Sequence, residues 1–351
     1  MESTPNDRIP LREIADKAKV SRMTVSRALR DEPAIAADTR RRIQKIAKQL
    51  GYRPDPHLSR LMGTIRARKE GRLTNVIAYL TAYDQRAGWK KHPSQRICWE
   101  SATRRAADGG YRLEEFWAKE PGMTDARLSE IIRARGIDGV VIAPLPAPQP
   151  IFQDFRWEYF SVVGIGYSLA QPAFHRVCSH HFQSVMLLAE KLNAAGYRRV
   201  GLAMNLQNDE RVHHHWRAGH LVTQSLHGAE IAPDSMFLTA DWNCAALGFW
   251  IKRYRPDAII TIGPQVGTWL GELGLRVPRD IGLANVDVAL DSPGTTGIDQ
   301  SLHLIGATAI DLLVSLIYHH EKGVPAVPRV TKVQGTFLPG STIRLQGSSL
   351  K

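Results

Sequence analysis

From residue 73 onward, short runs rich in Val, Ile and aromatic residues alternate with longer stretches of helical periodicity. The short runs are NVIAYL, YRLEEFW, GVVIAP, YFSVVGI, RRVGLAM, DAIITIG and IGLANV. Between them lie helical stretches such as ICWESATRRAADGGY, LSEIIRARG and FQSVMLLAEKLNAAG. Few folds satisfy this alternation. The strands pair in parallel through helical crossovers, and helices cover both faces of the resulting sheet. The helical stretches stop on Gly110, Gly136 and Gly196, as expected where the chain turns through a left-handed C-terminal residue. So many units exceed one comfortable sheet, so two similar halves are expected, with a ligand crevice between them at the strand C-termini.

The first 72 residues are a different kind of polymer. They hold 18 Lys and Arg against 9 Asp and Glu, a net charge of +9 out of +12 for the 351-residue chain. A basic module joined to a nearly neutral body suits a polyanionic partner. The segment is also patterned to fold. Leu11, Ile14, Ala15 and Ala18 recur at helical spacing, and Ser21 suits the N-cap of a second helix whose core face is Val25, Ala28 and Leu29. A third helix places Ile43, Ile46, Ala47 and Leu50 on one face and stops at Gly51. Three short helices around one small core, with the second following the first closely, make a helix-turn-helix unit. The second helix of such a unit enters the DNA major groove. On its outer face stand Arg22, Met23 and Arg27, suited to guanine edges and a thymine methyl, while Ser21 and Thr24 suit phosphate oxygens. After it, Asp55-Pro56 reads as the start of a short hinge helix carrying Leu58, Leu61 and Met62, and RARKEG reads as a linker.

At 43% hydrophobic and 23% charged residues, the composition is that of a globular protein. No run of 18 apolar residues occurs, and the opening residues lack the apolar core of a secretory signal, so a cytoplasmic location is expected. Cys98, Cys178 and Cys244 are odd in number and widely spaced, which predicts neither a disulfide framework nor a zinc site. The run His213–His215 offers little to a metal, because adjacent side chains on a regular element point apart. No phosphate-binding loop, metalloprotease or nucleophile-elbow motif is present, so neither a cofactor nor an enzymatic activity is expected.

LREIADKAKVSRMTVSRAL and LGYRPD resemble, almost position by position, the opening of the lactose-repressor family of bacterial transcription factors. The resemblance implies base-reading roles for Arg22, Met23 and Arg27, and backbone contacts for Ser21, Thr24, Ser26 and Tyr52. It also implies that Leu61 is the hinge leucine that wedges open a base step in the minor groove. The chain departs from the family pattern at Lys19 (usually Gly), Arg30 (usually Asn) and Ala36 (usually a hydroxyl cap). Over the body, IDGVVIAPLP, AAGYRRVGLAM, PDAIITIG, VPRDIGLANVD and GIDQSLHLIG resemble family segments more loosely. They imply a periplasmic-binding-protein-like body of two doubly wound parallel-sheet subdomains.

The expected organisation is a helix-turn-helix domain over 1–54, a hinge and linker over 55–72, and an effector-binding and dimerisation domain over 73–351. Within the last, the N-subdomain is expected at about 73–170 and 303–333, and the C-subdomain at about 175–298 and 338–351. For the effector, the loop after the first strand offers Trp89 and His92. By resemblance, Trp216 takes the place of the family's effector-binding arginine, with Arg217 beside it and Arg211 upstream, and Asp287 and Gln300 match cleft positions. His180 and His181 are placed at the start of a cleft helix. The expected function is a transcriptional repressor that binds a pseudo-palindromic operator as a homodimer and responds to a carbohydrate. A purine or nucleotide effector is the alternative, and a sugar-modifying enzyme with an accessory DNA module a more distant one.

Overall fold

The computed structural model describes residues 9–29, 35–52, 75–146, 152–226, 233–290 and 293–344. The chain divides into two compact units, Met1–Arg72 and Leu73–Lys351. The expected hinge, with Asp55, Pro56 and Leu61, lies outside the described residues, as does Arg30.

The described residues of the head form three helices, α1 (Leu11–Ala18), α2 (Arg22–Ala28) and α3 (Ala37–Gln49). Ile14, Ala15, Ala18, Val25, Ala28, Ile43 and Ala47 form its core. Two polar side chains of α3 tie the bundle together by satisfying carbonyls that helix ends leave open. Arg42 Nη2 donates to Ala18 O (3.2 Å) and Gln44 Nε2 donates to Ala28 O (3.2 Å). The departures at Lys19 and Ala36 have physical consequences. Lys19 closes α1 at φ 52°, a left-handed conformation that costs a side-chain-bearing residue roughly 1 kcal/mol and glycine little. Ala36 at the N-cap of α3 supplies no side-chain hydrogen bond, and Asp38 in the first turn is the favourable charge left there. Gly51 ends the helix at φ +72°.

The body contains two six-stranded sheets. The first has the order β2 (Arg112–Trp117), β1 (Val76–Thr81), β3 (Gly139–Ile142), β4 (Ser161–Ile165), β5 (His175–Ser179) and β11 (Val330–Val333), with every pairing parallel. The second has the order β7 (Met236–Thr239), β6 (Val200–Asn205), β8 (Ala258–Thr261), β9 (Gly282–Asn285), β10 (Gly297–Asp299) and β12 (Thr336–Leu338), with only β12 antiparallel. The seven strand runs expected from hydrophobic patterning are β1–β4, β6, β8 and β9. Strands β5, β7, β10, β11 and β12 went unread, because they are short or polar: β5 is HRVCS, buried throughout. Because β5 pairs with β4, the second half begins at His181, not at about 175. The left-handed glycines stand where expected, Gly110 at φ 78°, Gly136 at 67° and Gly196 at 91°.

The chain crosses between the halves three times, at Ser179–His181, Asp299–Leu302 and Val333–Thr336. The first and third crossings lie side by side, since His180 N donates to Val333 O (2.8 Å). Gly335 is needed in the third, where a Cβ would stand 2.3 Å from Ile298 Cγ2 and 2.9 Å from Asp299 O. The second crossing delivers the helix Leu302–His319 from the C-subdomain into the core of the N-subdomain. This helix is long and apolar enough to cross a membrane by length and composition. Its apolar side chains have a different use: Leu302, Ile305, Ala309, Ile310, Leu313 and Leu316 join the core formed with Ile77, Val141, Val163 and Val177.

That helix approaches the helix Pro93–Asp108 so closely that a Cβ on Gly306 would sit 2.2 Å from both Cys98 O and Ser101 Oγ. Gly306→Ala therefore forces the helices apart. Overpacking of this kind costs about 1–3 kcal/mol, and the variant's body should melt several degrees below wild type in a calorimetric scan. An unchanged melting temperature would show that the contact yields without cost.

Candidate functional site

Two regions concentrate polar side chains that the fold does not consume, one on each unit.

On the head, Ser21 caps α2: its Oγ accepts from Thr24 N (3.1 Å) and lies 2.9 Å from Thr24 Oγ1. Val25 and Ala28 face the core. The opposite face carries Arg22, Met23 and Arg27, all exposed, with Ser26 half-buried; Tyr52, also half-buried, follows α3 and packs against the head core. Met23 is 65% exposed, the largest apolar surface on the described part of the head. A thioether held in water between two arginines has no structural use in the isolated head, and it is ready to be covered by a partner.

In the body, the two sheets present their strand C-termini to a common cleft. From the N-subdomain come Tyr83, His92 and Gln95. Gln95 Nε2 donates to Tyr83 Oη, and the His92 ring lies 5.4 Å from that of Tyr83. From the C-subdomain come His181, Arg211, His213, His215 and Trp216. Among the described residues, several contacts join the halves, two of them prominent at the cleft. Arg211 Nη2 donates to Leu145 O (3.1 Å). The Tyr167 ring lies 4.9 Å from both His213 and His215, stacked on the latter.

The expected effector residues separate into two groups. Trp89, read as a rim residue, is 2% exposed; its Nε1 donates to Glu115 Oε1 (2.6 Å) and its ring packs against Tyr79 and Trp99. It is part of the wall. Arg217 is held by the fully buried Asp209, Nε to Oδ2 at 3.1 Å, which also takes His214 Nδ1 at 2.8 Å. Gln300 braces the second crossing by donating to Val286 O (2.7 Å). These three have structural occupations. Trp216, 3% exposed, packs into the core of the C-subdomain with Leu188 and Met204, yet its Nε1 has no hydrogen-bond partner. Arg211 and His92 stay on the cleft side, where they meet Leu145 O and the Tyr83 ring. Of the eight further buried side-chain atoms without a hydrogen-bond partner among the described residues, Tyr79 Oη, Gln95 Oε1 and His181 Nδ1 belong to this region, and Arg217 Nε meets Asp209 only as an ion pair. Buried polar atoms are almost always satisfied, so this group has hydrogen-bonding capacity left for water or a bound molecule. Tyr83, Gln95 and Tyr167 were not singled out in the sequence. Their only signal was position, just beyond the C-terminal ends of β1 and β4.

The electrostatics favour uncharged side chains. Burial, aided by His215 and His180, holds His181 down at about 3. Burial and Arg211 lower His92, and burial and Arg176 lower His213. Burial pushes Asp287 up to about 7, against the opposing hydrogen bond from Ala289 N to its Oδ1 (3.1 Å). The three adjacent histidines do not converge. His213 and His215 face Tyr167, while His214 turns to Asp209. Among the described residues no three His, Cys, Asp or Glu side chains are grouped to hold a metal.

Asp287 generates a pH test. Its folded carboxyl keeps a proton to about 7, while the unfolded chain loses it near the ordinary 3.8. The native state then binds more protons between those values, and stability falls as pH rises through that window. Asp287→Asn removes this loss. The variant should be more stable than wild type at pH 8, by up to roughly 4 kcal/mol, the equivalent of about three pKa units, and little different at pH 4. Calorimetric melts at both values check this; parallel stability profiles would show that another group titrates.

Comparison with known proteins agrees with both regions. Residues 10–55 match the lacI family of bacterial regulatory proteins, and residues 189–342 match the periplasmic binding protein-like domain. An HTH-type transcriptional regulator of Mycobacterium tuberculosis is 27% identical over 213 residues, which is 60% of this chain and 56% of that protein. The alignment thus spans little more than half of that relative. Among solved structures, the complex of the transcriptional regulator CelR with cellobiose superimposes with a TM-score of 0.61 at 20% identity, covering 95% of this chain and all of that one. The lac repressor dimer bound to operator and the anti-inducer ONPF gives 0.56 at 17% identity, covering 96% and 99%. At such identities the likeness is one of fold.

Proposed function

From the match of residues 10–55 to the lacI family of bacterial regulatory proteins and of residues 189–342 to the periplasmic binding protein-like domain, we propose that the chain is a transcriptional repressor controlled by a small effector in the body's cleft. It binds a pseudo-palindromic operator as a homodimer. The observation that carries the reading is the outer face of α2, where Arg22, Met23 and Arg27 stand exposed on a helix anchored from behind by Val25 and Ala28. The excess charge of the first 72 residues supplies the sequence-independent attraction to phosphate. The effector is read as a carbohydrate. Supporting this are the donor- and aromatic-rich cleft and the cellobiose bound by CelR, a structure of the same fold.

Mechanistically, the contacts of Arg211 with Leu145 and of Tyr167 with His213 and His215 would favour the halves being held together at the cleft. An effector that engages Arg211 or the Tyr167 side changes the relative stability of closed and open arrangements, and only that difference transmits a signal. A coupling of about 1–3 kcal/mol would be ordinary for such a switch.

Operator sequences selected from random duplexes provide the test. Arg27→Ala should weaken binding to the selected site by about 1–3 kcal/mol and relax preference at one base position. Unaltered base preference would remove Arg27 from the reading face. Leu61, by its match to the family's wedge, should act on the centre of the site. Leu61→Ala should bend the operator less, as read by fluorescence transfer between its ends, and should keep the salt slope of non-specific binding. Wild-type bending by the variant would assign Leu61 to packing.

A further inference from the structure

The neighbouring arginines Arg211 and Arg217 have opposite circumstances. Arg217 is neutralised by Asp209 at 3.1 Å. Arg211 has no carboxylate within ion-pair distance among the described residues. Its one side-chain hydrogen bond goes to a neutral carbonyl, Leu145 O, leaving four of five N–H donors unspent. A guanidinium turned into a cleft without a counter-ion carries an uncompensated desolvation cost, and burial lowers its pKa.

The groups near it are of mixed type: Gln95, whose amide nitrogen donates to Tyr83, has an unpartnered acceptor in Oε1. Trp216 Nε1 donates only, and His181 Nδ1 is unpartnered beside it, the two rings 5.1 Å apart. Tyr83 and His92 are near enough for Arg211 to influence both. Opposing negative charge is already engaged. The Glu115 carboxylate accepts from Trp89 Nε1 and Thr81 Oγ1 (3.0 Å), and Asp209 is taken by Arg217 and His214. A neutral sugar would leave the charge of Arg211 uncompensated; an anion would satisfy charge and donors together.

We propose that the effector of this cleft carries an anionic group, a carboxylate or a phosphate, and that Arg211 receives it. The effector class is thus an acidic sugar derivative and not a neutral one. This rests on the reading of the body as a carbohydrate sensor. It also makes closure ligand-dependent: the guanidinium that bridges to Leu145 O is the one the anion would engage.

The test uses the full chain and five probes at constant ionic strength: D-glucuronate, D-gluconate, D-glucose 6-phosphate, D-glucose and cellobiose. Binding is read by calorimetry and by the shift in melting temperature. At least one acid should bind about 30-fold or more tightly than the neutral sugars, and Arg211→Gln should lose about that factor. Arg211→Lys, which keeps charge but not the planar fork, should lose less. Response to the two carboxylates or to the phosphate identifies which anion the site takes. A neutral sugar binding as tightly as the acids overturns the proposal and leaves the sensor reading intact. Equal affinity of wild type and Arg211→Gln for the acid also overturns it. If that variant fails to fold, the wild-type ranking and Arg211→Lys decide. Silence of all five probes overturns the proposal and the carbohydrate reading together, while operator binding by the same sample keeps the regulator reading separate.

Discussion

Everything in the body depends on one helix crossing from one half to the other. The helix Leu302–His319 follows a strand of the second sheet and completes the core of the first. It can do so only because Gly306 lets its backbone lie against Cys98 and Ser101. The first half is therefore completed by chain that arrives after the second sheet's strand β10, and three covalent crossings join the halves. Such a hinge permits the halves to tilt while keeping their registers, the mechanical property a two-state sensor needs.

Parallel topology then places the chemistry. Because every strand but one runs the same way within its sheet, the strand C-termini of each half collect at one end. Tyr83, Gln95, Tyr167, His181 and Arg211 all follow such ends. The wall behind them is apolar and aromatic, built from Tyr79, Trp89 and Trp99 on one side. In that setting His92, His181 and His213 are held toward the neutral form and Asp287 keeps its proton to about 7, while Arg211 and Arg176 meet carbonyls and no carboxylate among the described residues. The head uses a simpler logic. Its core is seven small or branched apolar residues, and the positions left over on α2 form an exposed basic face.

Residue type and spacing carried much of this. Helical periodicity and the Ser21 cap made the head legible, since a helix of this length is specified by local capping and one apolar stripe. Lys19 and Gly51 were visible as turn positions, and both adopt left-handed backbone. The apolar strands were legible in the body, while β5, β7, β10, β11 and β12 were not. The buried β5, with His, Arg, Cys and Ser, has no hydrophobic pattern to read, and the others are three or four residues long, so their pairing comes from neighbours distant in sequence. Trp89 shows the same limit at the site. An aromatic in a loop reads as a ligand platform, but Glu115, paired across β1 and β2, captures its indole N–H.

The sequence by itself determined the partition into a basic helical head and an α/β body, because charge balance and hydrophobic period are local properties of the chain. It also determined the residues on the outer face of α2, since the helix period leaves them nowhere else to go. Only the tertiary structure decided which polar residues of the body remain unspent. Arg211 and Arg217 are six residues apart and alike in type. One meets a buried carboxylate and the other a carbonyl from the opposite half, and that difference arises only when two sheets far apart in sequence close on a common cleft.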